Sequence, residues 1–132
     1  MTAFRTSMYI GEHLVGLEEV LDQVISADLE WHLTFFWGTP AVGADVSVDS
    51  LEEAASAAPH GLILSEEELR LLATKLYQVI DCVILGFPKD QPVHLRDSAT
   101  MSVVAFDSSE WGVYAGLRER YRIRTESLLS EI

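Results

Sequence analysis

A run of alternating apolar and polar side chains over residues 29–37 is the feature that most limits what this chain can fold into. Successive side chains of a β-strand point to opposite faces, so a period of two predicts a strand rather than a helix. One face of this strand carries Leu29, Trp31, Leu33, Phe35 and Trp37. The other carries Glu30, His32, Thr34 and Phe36, so Phe36 is an aromatic residue on an otherwise polar face. A strand with such an aromatic face requires a sheet and a core to pack against.

Three stretches have helical spacing instead. In residues 12–26 the apolar side chains recur at intervals of three and four, which predicts an amphipathic helix in which Gly16 either permits close packing or marks a late start. Two capping boxes follow, each with a serine three residues before a glutamate. The first, at Ser50, predicts a short helix over residues 50–58. The second, at Ser65, predicts a longer helix whose apolar stripe runs to Ile80.

The remaining ordered segments are predicted to be mostly strands. Short, apolar or alternating runs suggest strands over residues 42–48, 82–87, 100–106 and 110–115. Residues 88–92 and 107–109 are predicted turns. Apolar spacing predicts a closing helix from Gly116, although the alternating arginines of that segment also suit an edge strand. Late strands joined by short turns pair antiparallel, so we expect an α+β fold: one domain, residues 1–132, with a mostly antiparallel sheet packed by three to four helices.

Composition places the chain among ordinary globular proteins. At 132 residues it fits one domain, and a hydrophobic share of 48% is too high for disorder. One cysteine cannot form an internal disulfide, which favours a reducing compartment. Residues 1–10 lack the apolar run of a signal peptide, and no segment has the ~18 consecutive apolar residues of a membrane span. The expected location is the cytoplasm.

The charge balance indicates what kind of partner the chain can bind. It has 21 acids and 9 bases, a net charge of −12, which argues against nucleic acids and anionic membranes because phosphate binding is driven by Lys and Arg. Residues 117–132 hold four bases and three acids, so residues 1–116 hold five bases and eighteen acids, a net of −13. Such a field steers a basic partner, although acidic surfaces also simply keep proteins in solution.

Few residues show a pattern typical of catalysis. Glycine-rich phosphate loops and metal-ligand spacings are absent, so no cofactor and no metal are predicted. Cys82 lies in the most apolar strand and is expected to be an inert core thiol. Glu30 and His32, two apart on one strand, could share a proton, and Asp107 stands in a Ser-rich segment that is more typical of a tight turn. These three residues are the acid–base candidates of an alternative interpretation, a small enzyme or ligand-binding protein with an aromatic-lined pocket.

Aromatic residues offer a second kind of site. A pocket or a protein interface could be lined by Trp31, Phe35, Trp37, Phe106 and Trp111, although most of these should fill the core of so small a domain. As exposed anchors we single out Phe36 and Trp37. The carboxylates that we expect to meet a basic partner are those at the two capping-box helices: Glu52, Glu53, Glu66 and Glu67.

Residues 104–114, following a helix that ends at residues 76–81, resemble a pattern found in small bacterial proteins, some of them immunity-type proteins that neutralise toxins. The resemblance spans residues 68–114 and implies a small α+β cytoplasmic protein that works by binding. Together with the charge, it favours a non-enzymatic module that presents an acidic surface to a basic protein, as an inhibitor or immunity protein would. A homo-oligomer that uses a sheet edge or the arginine-bearing tail is a third interpretation.

Overall fold

The computed structural model describes residues 2–24, 29–57, 59–89 and 99–115. Its eight strands are β1 (Thr2–Ser7), β2 (Tyr9–Ile10), β3 (His13–Leu14), β4 (Leu29–Pro40), β5 (Leu62–Leu64), β6 (Leu76–Pro88), β7 (Met101–Phe106) and β8 (Glu110–Ala115). Three helices lie between them: α1 (Leu17–Leu21), α2 (Val48–Ala55) and α3 (Glu66–Thr74). None of the helices in these ranges is long and apolar enough to cross a membrane.

Six of the strands form a single sheet in the order β1-β8-β7-β6-β4-β5, and every neighbouring pair is antiparallel. The short strands β2 and β3 pair separately. The prediction of an α+β fold with a mostly antiparallel sheet is therefore confirmed, with three helices in the described part of the chain.

One face of the sheet, which we call the inner face, is buried. A row of directly opposed residues crosses five strands on this face: Leu33, Ile84, Val103, Val113 and Phe4. All five are at most 1% exposed. They belong to the same core as the buried residues of the helices, such as Leu17 of α1, Leu51 of α2 and Leu69 of α3. Packing on this row fixes which face of each strand points inward.

The helix predicted over residues 12–26 is wrong in its first part. Residues 9–14 form the β2–β3 ladder instead, and Gly11 turns between the two strands with φ of 63°. Helix α1 begins only at Leu17, and Gly16 is its N-cap, so the late start was the correct alternative. Because glycine adopts positive φ without steric cost, Gly11 allows the chain to reverse where a helix would continue.

The first capping box is displaced. Ser47, not Ser50, caps α2, because its side-chain oxygen accepts the Ser50 backbone N–H at 3.3 Å. The strand predicted over residues 42–48 is absent, and α2 ends at Ala55 rather than at residue 58. The second capping box is confirmed: Ser65 accepts the Glu68 N–H at 3.1 Å, and Glu68 accepts the Ser65 N–H at 2.8 Å.

The predicted helix over residues 65–80 is too long. It ends at Thr74, and β6 starts at Leu76. Residues 76–80 suit either structure by their apolar spacing, but pairing with the end of β4, where Gly38 lies opposite Val79, makes them a strand. Strands β1 and β5 were not predicted. The strands predicted over residues 100–106 and 110–115 are confirmed as β7 and β8, while the predicted closing helix lies outside the described residues.

Candidate functional site

A β-bulge in β4 decides which aromatic residues reach the surface. Leu33 lies opposite Ile84 on β6, but Phe35, two residues further along β4, lies opposite Val83, so Thr34 is an extra residue. An extra residue reverses the inward and outward alternation beyond it. Phe36 is consequently buried at 3% exposure, whereas Phe35 and Trp37 are 47% and 51% exposed. The prediction that Phe36 is an exposed anchor is therefore wrong, and Phe35 takes its place.

The exposed side chains of β4 join others on the outer face of the sheet. Phe35 lies opposite Val83 of β6, which lies opposite Val104 of β7. Phe106, two residues beyond Val104 on the same face, is 41% exposed. We call Phe35, Trp37, Val83, Val104 and Phe106 the aromatic patch. Aromatic side chains bury about 150–250 Å² each, so the three half-exposed rings present roughly 300 Å² of apolar surface. Patches of that size on a monomer are frequently functional.

Two carboxylates stand within and beside the aromatic patch. Asp81 lies opposite Trp37 on the neighbouring strand, and its Oδ1 accepts the backbone N–H of Asp107 at 2.8 Å. Asp107 and Ser108 hold positive φ in the turn between β7 and β8. Ser109 donates its hydroxyl to the Phe106 carbonyl at 2.7 Å. The segment is thus a turn whose side chains bond locally, and it leaves the Asp107 side chain at the surface next to Phe106.

A depression of about 270 Å³ opens where the aromatic patch meets α2. The described residues that line it are Phe35, Phe36, Trp37, Glu52 and Ser56. Helix α2 buries Leu51 and Ala55 in the core, which turns Glu52 and Ser56, one helical turn apart, toward β4. No hydrogen bond or ion pair with another described residue involves the Glu52 carboxylate. The depression therefore combines aromatic residues with a carboxylate that no other described residue pairs.

Glu30 and His32 meet as predicted, but Asp107 does not join them. His32 is 3% exposed, and its Nε2 lies 2.9 Å from Glu30 Oε1. The rings of Phe87 and His60 stand 4.8 Å and 5.8 Å from the His32 ring, between centroids. His32 lies opposite Leu85 on β6, whereas Asp107 is held by Asp81, four residues away on the same strand. At 3.3 Å per residue, Leu85 and Asp81 are about 13 Å apart. Glu30 and His32 thus form a pair, and Asp107 lies too far away to form one acid–base cluster with them.

The other predicted carboxylates lie outside the depression. Glu53 is exposed on α2, next to Glu52. Glu66 and Glu67 occupy the first turn of α3, and Glu66 Oε2 is 4.0 Å from the Arg70 guanidinium. Arg70 also donates to Asp22 at 2.9 Å, so Glu66 has a base nearby, whereas the Glu52 carboxylate has none among the described residues.

In the part of the chain that the structure describes, neither a reactive cysteine nor a metal-binding cluster accompanies the aromatic patch. Cys82 is buried on the inner face, and burial raises the pKa of its thiol to about 12, so the thiolate that would react is scarce near neutral pH. Among the described residues, no group of three or more His, Cys, Asp or Glu side chains is placed to hold a metal ion. Trp31 and Trp111, both fully buried, belong to the core.

Sequence analysis did not single out Asp81, and it exchanged the places of Phe35 and Phe36. A signal for the second error was present. Residues 35–37 are three consecutive aromatic residues, so an alternating strand cannot place all of them on one face. Such a run is compatible with a bulge, which reverses the faces that its members occupy.

No family model, curated protein or solved structure matches this chain.

Proposed function

We propose that this chain is a non-enzymatic binding protein that recognises a basic protein partner through the aromatic patch and the carboxylates around it. The observation that carries the proposal is the bulge in β4, which places Phe35 and Trp37 at the surface beside Phe106. Exposed aromatic residues are the usual anchors of protein interfaces. Asp81, Asp107 and Glu52 surround them with negative charge, which complements a basic partner.

The charge of the whole chain supports the same partner. A net charge of −12 repels acidic surfaces and steers basic ones toward the protein. The narrower form of the proposal is an inhibitor or immunity-type protein, because such a protein must bind its target quickly, and steering raises association rates. A gene for a basic, toxin-like protein beside the gene for this chain would support the narrower form.

Selection from a phage-displayed library of random twelve-residue peptides tests the proposal with peptides in place of the natural partner. We expect enriched peptides to carry net positive charge together with apolar residues. They should bind the double variant Trp37→Ser/Phe106→Ser at least ~10-fold more weakly, because losing an interface anchor costs about 2 kcal/mol or more. The matched control is Tyr77→Ser: Tyr77 is 63% exposed but lies outside the aromatic patch.

Equal binding of the selected peptides to the wild type and to the double variant would show that the aromatic patch is not the interface. Enrichment of acidic peptides would contradict the charge argument. Sedimentation of the wild-type protein at high concentration shows whether it self-associates. Self-association would favour the homo-oligomer interpretation instead.

A further inference from the structure

The depression between β4 and α2 has the composition of a site for one cationic side chain. At about 270 Å³ it has room for roughly nine waters at ~30 Å³ each, which suits a single long side chain rather than a folded surface. Phe35, Phe36 and Trp37 of β4 line it, and of these Phe35 and Trp37 are half-exposed. Aromatic faces attract cations through the ring quadrupole, and tryptophan does so most strongly.

A carboxylate completes the site. Glu52 lines the same depression, is half-buried, and forms no ion pair with any other described residue. No lysine or arginine among the described residues lines the depression, so no described base neutralises the Glu52 charge there. Partial burial strengthens the attraction of this carboxylate for an incoming cation, because the local dielectric is lower than that of water.

Two cationic side chains could enter, and the lining favours one of them. A guanidinium is planar, stacks on an aromatic ring and presents a fork of N–H donors to a carboxylate, whereas an ammonium is a compact, strongly hydrated point charge. The half-exposed rings of Phe35 and Trp37 next to one carboxylate therefore suit arginine better than lysine.

We propose that the depression lined by Trp37 and Glu52 binds the guanidinium group of an arginine side chain, which anchors the basic partner to the aromatic patch. This inference rests on the proposed function and names the residue by which the partner is held. In the complex, the guanidinium stacks on the exposed aromatic rings and donates hydrogen bonds to the Glu52 carboxylate.

Tryptophan fluorescence gives a direct test with small probes. Trp31 and Trp111 are fully buried, so iodide quenching of the native protein reports on Trp37, which is 51% exposed. We expect N-acetyl-arginine amide to protect Trp37 from iodide in a saturable manner. Its neutral isostere, N-acetyl-citrulline amide, should bind at least ~10-fold more weakly, because it loses the charge-assisted hydrogen bonds to the Glu52 carboxylate. Nα-acetyl-lysine amide, whose ε-ammonium is charged, should bind with an affinity between those of the arginine and citrulline probes.

Two neighbouring carboxylates provide the matched variants. Glu52→Gln should weaken binding of the arginine probe about 10-fold, since it removes the charge that faces the depression. Glu53→Gln removes an equal charge from the next residue of α2, which does not line the depression, and should change the affinity less than about 2-fold. Both residues lie at or near the surface, so both variants should fold.

Equal protection by the arginine and citrulline probes would overturn the inference, as would equal losses from Glu52→Gln and Glu53→Gln. Lysine binding as tight as arginine binding would show that the site recognises charge alone, not a guanidinium. These failures are distinguishable from failure of the proposed function. If the probes do not bind while selected peptides still require Trp37 and Phe106, the patch is an interface and only the arginine anchor is wrong.

Discussion

Cys82 shows how burial controls the chemistry of one residue. Its side chain lies on the inner face of β6, and loss of hydration in the core raises the pKa of its thiol to about 12, with the nearby Asp81 charge acting in the same direction. The thiolate is the reactive form, so both its scarcity and its inaccessibility make the folded protein unreactive. This agrees with the sequence prediction of an inert core thiol.

We expect Cys82 to resist Ellman's reagent at pH 8 in the folded protein and to react fully within minutes in 8 M urea. The physical reason is that reagent access requires opening of the core. Glu53→Cys adds an exposed thiol on α2 as the control and should react at once in the folded protein. Rapid labelling of wild-type protein without denaturant would mean that Cys82 is neither buried nor protonated.

The raised pKa of Cys82 also predicts how stability depends on pH. The folded thiol keeps its proton to about pH 12, whereas an unfolded thiol loses it near pH 8.5. The unfolded state therefore binds fewer protons above pH 8.5, and folding stability falls as the pH rises through this window. Urea midpoints measured at pH 7.5 and pH 10 should decrease more for wild type than for Cys82→Ala. Identical decreases would show that the thiol does not contribute.

Among the secondary-structure elements, the bulged strand β4 has the largest consequence. Simple alternation places Phe35 inward and Phe36 outward, and the extra residue Thr34 exchanges them. The hydroxyl of Thr34 donates to the Val83 carbonyl at 3.2 Å, which helps to hold the irregular register. The aromatic patch therefore depends on one residue of insertion in a strand of twelve.

Two alanine variants distinguish the bulged from the regular strand. Phe36→Ala should destabilise the protein by about 3–5 kcal/mol, because it leaves a cavity in the core. Phe35→Ala should cost less than about 1 kcal/mol, since that ring is half-exposed. Urea denaturation measures both values. The reverse order would mean that β4 continues its alternation without a bulge.

Helix α2 shows how a capping pattern can be misplaced by three residues. Ser50 has the capping-box spacing to Glu53, but only the Ser47 oxygen accepts a backbone N–H of the first turn. The choice depends on where the chain enters the helix, which is set by packing of Leu51 and Ala55 against the core.

Serine-to-alanine substitutions locate the cap of α2 experimentally. Ser47→Ala should reduce the free energy of unfolding by about 1 kcal/mol, because one N–H of the first turn loses its acceptor. Ser50→Ala keeps the backbone N–H that Ser47 binds and improves helix propensity, so we expect a change within about 0.5 kcal/mol. Thermal or urea denaturation is sufficient to compare them, and a larger loss at Ser50 would contradict the assigned cap.

At the scale of the whole molecule, the acidic charge and the aromatic patch make separate contributions to the proposed binding. The described helices bury side chains in the inner-face core, and the rings of the aromatic patch, on the other face of the sheet, stay half-exposed. The net charge of −12 surrounds this patch with a field that attracts bases. Affinity should come from the patch and encounter rate from the charge.

Salt should separate these two contributions for a basic peptide selected on the protein. Raising NaCl from 20 mM to 500 mM should lower the association rate at least ~10-fold while changing the dissociation rate much less, because screening acts mainly on long-range encounter. Stopped-flow fluorescence of Trp37 measures both rates. An association rate that does not respond to salt would show that the charge serves only to keep the protein in solution.

Local pattern alone determined much of the fold. The α+β class, the capping box at Ser65, the core position of Cys82 and the strands β7 and β8 follow from spacing and turn chemistry, which act within a few residues. The pairing of Glu30 with His32 follows in the same way, because residues two apart share a strand face.

Tertiary structure alone decided the rest. Residues 76–80 suit a helix or a strand, and only pairing with β4 made them part of β6. The separation of Asp107 from His32 depends on strand register across the sheet. Exposure of Phe35 in place of Phe36 depends on the register between β4 and β6 and on which of the two rings is buried in the core. These choices balance contacts between residues far apart in the chain, whose energies a local pattern does not contain.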